Sequence, residues 1–191
     1  MRKIINRGLR AGLLDQEFYT EAGEDNTLNQ EALLMVILVS AASGIAAFIS
    51  GLLIKKSFGA AVLGLSVLTA IGIANYFIWV YSTHFTSINV FQSEVELNKL
   101  LRILGYASSP MVLSLFSFIP YFGPLIGLIG SVWSLVAGFT GAQQILDLKK
   151  YETFSTVVFG WLAILIIKSL VTNILGINVA GLGILFSSPG L

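Results

Sequence analysis

Residues 33–54 read LLMVILVSAASGIAAFISGLLI, a run without a single charged side chain. A bilayer hydrocarbon core about 30 Å thick needs roughly 20 apolar residues to be crossed as a helix. The pattern recurs down the chain. Phe58–Thr83 and Ile103–Leu146 carry no charge, and Thr153–Leu191 carries only Lys168. In lipid each backbone amide must find its partner within its own segment, so these runs read as helices rather than buried strands. The fold class is all-α, that of a polytopic integral membrane protein.

Composition agrees. The 191 residues are 55% hydrophobic and 11% charged, with a mean hydropathy of +0.86, where a soluble domain carries about 25% charged residues. A net charge of +1 gives no nucleic-acid footprint. Cysteine is absent, which excludes disulfides, thiolate metal sites and thiol catalysis. The basic start does not run straight into an apolar stretch, because Asp15–Glu31 intervenes, so it is read as retained rather than as a signal peptide.

Five spans are expected, at about 32–54, 58–81, 103–119, 124–146 and 154–175. The long run 103–146 holds two of them, with Pro120-Tyr121-Phe122-Gly123-Pro124 as the turn. Proline removes a backbone donor and restricts the residue before it, and glycine tolerates positive φ. Pro110 should kink or break the third span. The cluster Tyr76, Phe77, Trp79 and Tyr81 ends the second span as an interfacial belt, and residues 82–99 form the longest loop. Gly176–Leu191 is too short for another crossing and is expected at the interface. With the N-terminus inside, the inner segments hold Arg2, Lys3, Arg7, Arg10, Lys99, Arg102, Lys149 and Lys150, against Lys55 and Lys56 outside. Eight against two favours that orientation by the positive-inside rule.

Residues 1–31 read as an inner tail preceding a membrane domain at 32–191. Ile5, Leu9 and Leu13 recur every four residues among Arg2, Arg7 and Arg10, the pattern of a basic amphipathic helix that lies on an anionic leaflet or anchors topology. Gly8 and Gly12 weaken it. Asp15–Glu31 carries six acids and no base, as a solvated linker or a docking segment would. Ser93-Glu94-Val95-Glu96 has capping-box spacing, and Leu97, Leu100, Leu101 and Leu104 follow as a helical stripe. This predicts an interfacial helix, packed flat on the inner rim of the bundle, that leads into span three.

Small residues recur four apart at Ala42-Ala46-Ser50, Ala60-Gly64, Gly123-Gly127-Ser131 and Gly130-Ser134-Gly138. Such faces let helices approach closely, within one bundle or between copies. On this reading Gly127→Leu disrupts packing. Lys168 is the one charge inside a span, either on an ion or substrate path or snorkelling to the outer interface. Asn75 and Asn173 read as bonds to neighbouring helices. His84, the only histidine, falls in the predicted loop. HExxH, GxSxG, phosphate-loop and dinucleotide motifs are missing, and no acid pair lies within the spans. No cofactor, metal or catalytic residue is expected.

The segment Leu100-Leu101-Arg102-Ile103-Leu104-Gly105-Tyr106-Ala107-Ser108-Ser109-Pro110 resembles the Yip-domain family, the Ypt/Rab-interacting proteins and their prokaryotic relatives. The likeness continues through Ile119-Pro120, Gly123-Pro124, Ser131-Val132-Trp133-Ser134-Leu135 and Ala142–Asp147. Leu14-Asp15-Gln16-Glu17-Phe18-Tyr19 is similar to the opening segment of prokaryotic members. The resemblance implies five spans with the N-terminus inside, and a non-enzymatic role in membrane organisation or trafficking through protein or lipid partners. As a prokaryotic-type member the chain would sit in the plasma or inner membrane. The Asp-Leu-x-Gly-Pro motif of eukaryotic members is absent, which speaks against binding a Rab-type GTPase. Gly105, Tyr106, Pro110, Pro120, Gly123, Pro124 and Trp133 are the candidate structural or partner motif. In it Gly105 permits close approach, Tyr106 anchors at the interface and Pro110 kinks span three. The competing reading is a small transporter or channel component using the break at 103–124 and Lys168.

Overall fold

The computed structural model describes residues 2–175, with side chains described as far as Ile167. Described residues form seven α-helices: α1 (Arg2–Gly12), α2 (Gln16–Glu24), α3 (Asn29–Leu53), α4 (Phe58–Asn89), α5 (Leu97–Ala107), α6 (Gly123–Ala142) and α7 (Lys150–Leu175). A 3-10 turn at Asn26–Leu28 leads into α3, and a 3-10 helix at Ser109–Phe118 continues α5. Four helices are long and apolar enough to cross a membrane. Taken as one broken span, the bent pair formed by α5 and the 3-10 helix is a fifth candidate, the third in chain order.

Each element stops where its chemistry says it should. Asp15 caps α2 by accepting from the Phe18 amide at 3.1 Å, and Ser57 caps α4 through the Ala60 amide at 3.3 Å. Lys55 closes α3 in the left-handed region at φ 58°. Its amide donates to Leu52 O at 3.1 Å and that of Lys56 to Gly51 O at 2.9 Å, the paired bonds of a Schellman end. Tyr121, at φ 66°, makes the expected 120–124 turn.

Several expectations are corrected. Residues 82–89 are not loop: α4 runs on to Asn89, about 48 Å at 1.5 Å per residue. Hydroxyls of Thr86 and Ser87 and the Asn89 amide bond to carbonyls one turn back, so these polar residues continue the helix. His84 is therefore helical. Tyr76 and Trp79 are core residues rather than a belt, and Tyr81 alone of the cluster is exposed. The fourth span ends at Ala142, not Leu146, and Leu146 is buried in the turn that follows. The stripe on α5 packs inward as expected, but the helix is not laid flat on a rim: Leu100 and Arg102 through Ala107 are buried on every face. Lys168 and Asn173 fall in α7, but their side chains, like residues 176–191, lie outside the described residues.

The crossings meet through small residues. A methyl on Gly44 would lie 2.6 Å from Leu65 O, and one on Gly72 would lie 2.7 Å from Ser40 Oγ. Trp79 fills a slot opened by Gly138 of α6 and Gly160 of α7, and its indole donates to Val157 O at 3.2 Å. The third crossing bends by 43°, and Pro110 stands in the first turn beyond the bend. Proline lacks the donor that a continuing α-helix needs there. Ten residues are long for a 3-10 helix. This one is wedged between α3 and α6, where Ser43 and Ser114 hydroxyls bond at 2.7 Å.

Burial is uneven along the bundle axis. Phe18, Tyr19, Val80, Leu100, Ile103, Leu104, Tyr106 and Val157 are fully buried at one end, the head. At the other end Leu53, Ile54, Phe58, Tyr121 and Phe122 are exposed, as apolar side chains bordering lipid should be. Gly127 corrects the sequence reading too, since nothing lies within 4 Å of where its methyl would sit. Gly44→Ala therefore costs about 1–3 kcal/mol by overpacking, despite the helix-propensity gain, whereas Gly127→Ala is neutral or stabilises by up to about 1 kcal/mol. Melting temperatures of both variants in one detergent check this; equal shifts would refute it.

Candidate functional site

The head is built around Arg102, on α5. Its side chain is fully buried. Nε donates to Ala22 O at 2.8 Å and Nη2 to Gly23 O at 2.7 Å, while Nη1 donates to Asn26 Oδ1 and Asn29 Oδ1, both at 2.8 Å. The last carbonyls of a helix have no partner within it, and that end carries the negative pole of the helix dipole. Arg102 answers both needs of α2. It also fixes the corner between α2 and α3, because Asn26 and Asn29 flank that corner. Glu96 and Asp25 lie near enough to add attraction without touching it. A planar guanidinium can reach four oxygens on one side in this way; an ammonium cannot.

The acidic segment is consequently neither loose nor a linker. α2 buries Phe18, Tyr19, Ala22 and Gly23. The Phe18 ring meets Tyr106 edge to face at 5.0 Å, and the Tyr19 hydroxyl donates to Ala11 O at 3.1 Å. Burial pushes the Tyr19 phenol well above its ordinary pKa. Gln16, Glu17, Thr20, Glu21 and Glu24 form the exposed face. Arg10 donates from Nε to Asp15 at 2.6 Å and, more weakly, from Nη1 to Glu21 at 3.4 Å. The first bond holds the Asp15 carboxyl below the usual carboxylate range. Arg7 pairs with Glu31 at 2.6 Å.

The candidate motif divides between the head and the far turn. Gly105 lets α5 press on α3, since a methyl there would stand 3.1 Å from both Cβ and O of Ala32. Tyr106 is not an interfacial anchor: it is fully buried, and its hydroxyl and Glu31 Oε1 are buried without a hydrogen-bond partner. Pro110 marks the break, where Ser109 donates to Gly8 O at 2.8 Å. Trp133 donates to Gly12 O at 2.8 Å and so ties α6 to the end of α1. Pro120 belongs to the far turn. Gly123 and Pro124 start α6, with Gly123 set beneath Ser117 O. Sequence reasoning missed Arg102, Phe18 and Tyr19. The spacing Phe18-Tyr19-Ala22-Gly23 behind the Asp15 cap was the available signal.

The helical bundle, with its long apolar helices and its bent α5 pair, defines a polytopic helical membrane protein. A family model of the Yip1 domain matches residues 13–185. The chain belongs to the Yip1 family. Comparison with curated proteins and with solved structures returns no match.

Removing the guanidinium leaves two buried carbonyls, of Ala22 and Gly23, and two part-buried asparagine oxygens unpaired. Arg102→Met should cost about 2–4 kcal/mol through its unpaired buried carbonyls, and Arg102→Lys a smaller part because charge but not fork is kept. Limited proteolysis of purified protein should open first at residues 13–31 in the Met variant. Unchanged cleavage and melting in both would refute the clamp.

Proposed function

We propose that the chain is a non-enzymatic scaffold or adaptor in membrane organisation or trafficking, acting through protein or lipid partners. The observation that supports it is the fixed outer face of α2. Glu17 and Glu24 point outward while the opposite face is locked in the core. A loose tail would lose conformational freedom on binding; a face already ordered binds without that cost. A basic surface on a partner would complement these acids. The polar groups of the head engage backbone carbonyls and each other, a structural use rather than an arrangement of acid, base and nucleophile. On this proposal the head faces the cytoplasm in a plasma or inner membrane. Binding of a Rab-type GTPase forms no part of it.

The test is recovery of partners in native lipid discs. Glu17→Lys with Glu24→Lys should lose a stoichiometric protein partner or an enriched lipid, with melting unchanged because both side chains are exposed. The Tyr106→Ala variant should lose the same partner only alongside stability, since it removes the ring that seats Phe18. Identical recovery from wild type and the double variant would refute docking on α2.

The bent third crossing favours a second reading, a small transporter or channel component with Lys168 on its path. Discontinuous helices line such paths in transporters. Lys168→Met should then abolish solute flux in reconstituted vesicles, and unchanged flux would remove this reading.

A further inference from the structure

α1 has two unlike edges. Gly8, Ala11 and Gly12 face the protein. A methyl on Gly8 would stand 2.5 Å from Met35 Cε, and carbonyls of Gly8, Ala11 and Gly12 accept from Ser109, Tyr19 and Trp133. The glycines that weaken the helix in isolation are thus what lets it lie close. The other edge carries Ile5, Leu9 and Leu13, which are 59%, 60% and 75% exposed. Three large apolar side chains in a row on an eleven-residue helix and its end have no cover among the described residues.

Two observations say what covers them. The first is continuity. α1 rests on α3 at Met35 and on α6 at Trp133, both helices able to cross a membrane. Around those contacts Leu34, Leu38, Ile129, Val132 and Val136 are exposed, so the apolar edge extends the lipid-facing skin of the bundle. The second is charge. Arg7 and Arg10 are paired with Glu31, Asp15 and Glu21. Arg2 and Lys3 are exposed and form no ion pair among the described residues. They stand at the free end of the apolar edge, as the basic residues of interfacial helices do.

We propose that α1 is an interfacial helix that seats Ile5, Leu9 and Leu13 in the headgroup–acyl boundary of the bilayer the chain spans, with Arg2 and Lys3 on phosphates of anionic lipids. Through Ser109 and Trp133 the same helix clasps the break in the third crossing, so the leaflet bears on that break. The proposal is independent of docking on α2, whose acidic face an anionic leaflet repels.

The absence of native cysteine makes the test direct. Leu9→Cys and Glu24→Cys, each carrying a polarity-sensitive fluorophore, are placed in lipid nanodiscs of phosphatidylcholine alone or with roughly one-third phosphatidylglycerol. Both sites are exposed, so neither label disturbs the core. The expected result is blue-shifted emission at position 9, with quenching by shallow spin-labelled lipid roughly twofold or more above that at position 24. Quenching should rise further with phosphatidylglycerol, and Arg2→Gln with Lys3→Gln should abolish that rise while leaving the blue shift. Water-like emission at position 9 would overturn the proposal. So would blue-shifted emission that spin-labelled lipid does not quench, which would place the edge against a second copy. A signal indifferent to phosphatidylglycerol would overturn the role of Arg2 and Lys3.

Discussion

A buried arginine without a carboxylate in contact sets the geometry of the head. Desolvating a guanidinium costs several kcal/mol unless its donors are matched. Here two carbonyls at the end of α2 and two asparagine oxygens match them. These acceptors are neutral, so compensation comes from the number of bonds and from the negative pole of α2. The arrangement works in one geometry only, with α2 ending over α5 and turning at once into α3. Phe18 and Tyr19 are then carried onto Tyr106 and Ala11, and α1 follows through Tyr19. A contact among side chains far apart in sequence thus fixes the first thirty residues.

Below the head a different rule operates. In lipid there is little hydrophobic gain in bringing helices together, so association depends on close packing and polar pairs. Gly44 and Gly72 supply the closeness, and Ser43–Ser114 supplies the pair. These small faces are occupied within a single copy. Outward-facing residues include many large apolar ones, Leu63, Leu128 and Ile129 among them. The break at Ser108–Pro110 lies where the two regimes meet. Ser108 and Ser109 bond to carbonyls of Gly105 and Gly8 there, so the bend is braced from both sides.

What the sequence disclosed follows the same division. Charge-free runs locate the crossings because the bilayer imposes one length and one polarity on all of them. The turn at 120–124 and the break at Pro110 were legible because proline acts locally. The end of α4 was not. Its last two turns are rich in Ser, Thr, His and Asn, which reads as loop until the bonds of Thr86, Ser87 and Asn89 to carbonyls one turn back are seen. The burial of Tyr106 and the packing of α2 were hidden for another reason. Six acids between Asp15 and Glu31 mask a narrow apolar stripe, and the residue that makes the stripe useful, Arg102, lies some 80 positions away. Gly127 misled because small-residue spacing marks several faces of α6 alike; which one meets a neighbour is decided by the rest of the bundle.

Arg102 also changes the meaning of the charge count. Of the eight basic residues assigned to the inner side, Arg102 is buried, and Arg7 and Arg10 are neutralised by carboxylates. None of the three is free to resist translocation in the folded protein. Arg2, Lys3, Lys99, Lys149 and Lys150 remain, five against Lys55 and Lys56. All five belong to α1, α5, the α6–α7 connection or the first residue of α7, at the head, while the two lysines close α3 at the opposite end. The asymmetry therefore keeps its sign after the structural charges are removed. The cytoplasmic head is a proposal, and this count is its ground. The basic residues thus divide in two: Arg102, Arg7 and Arg10 hold the head together, and the others remain outside its bonds.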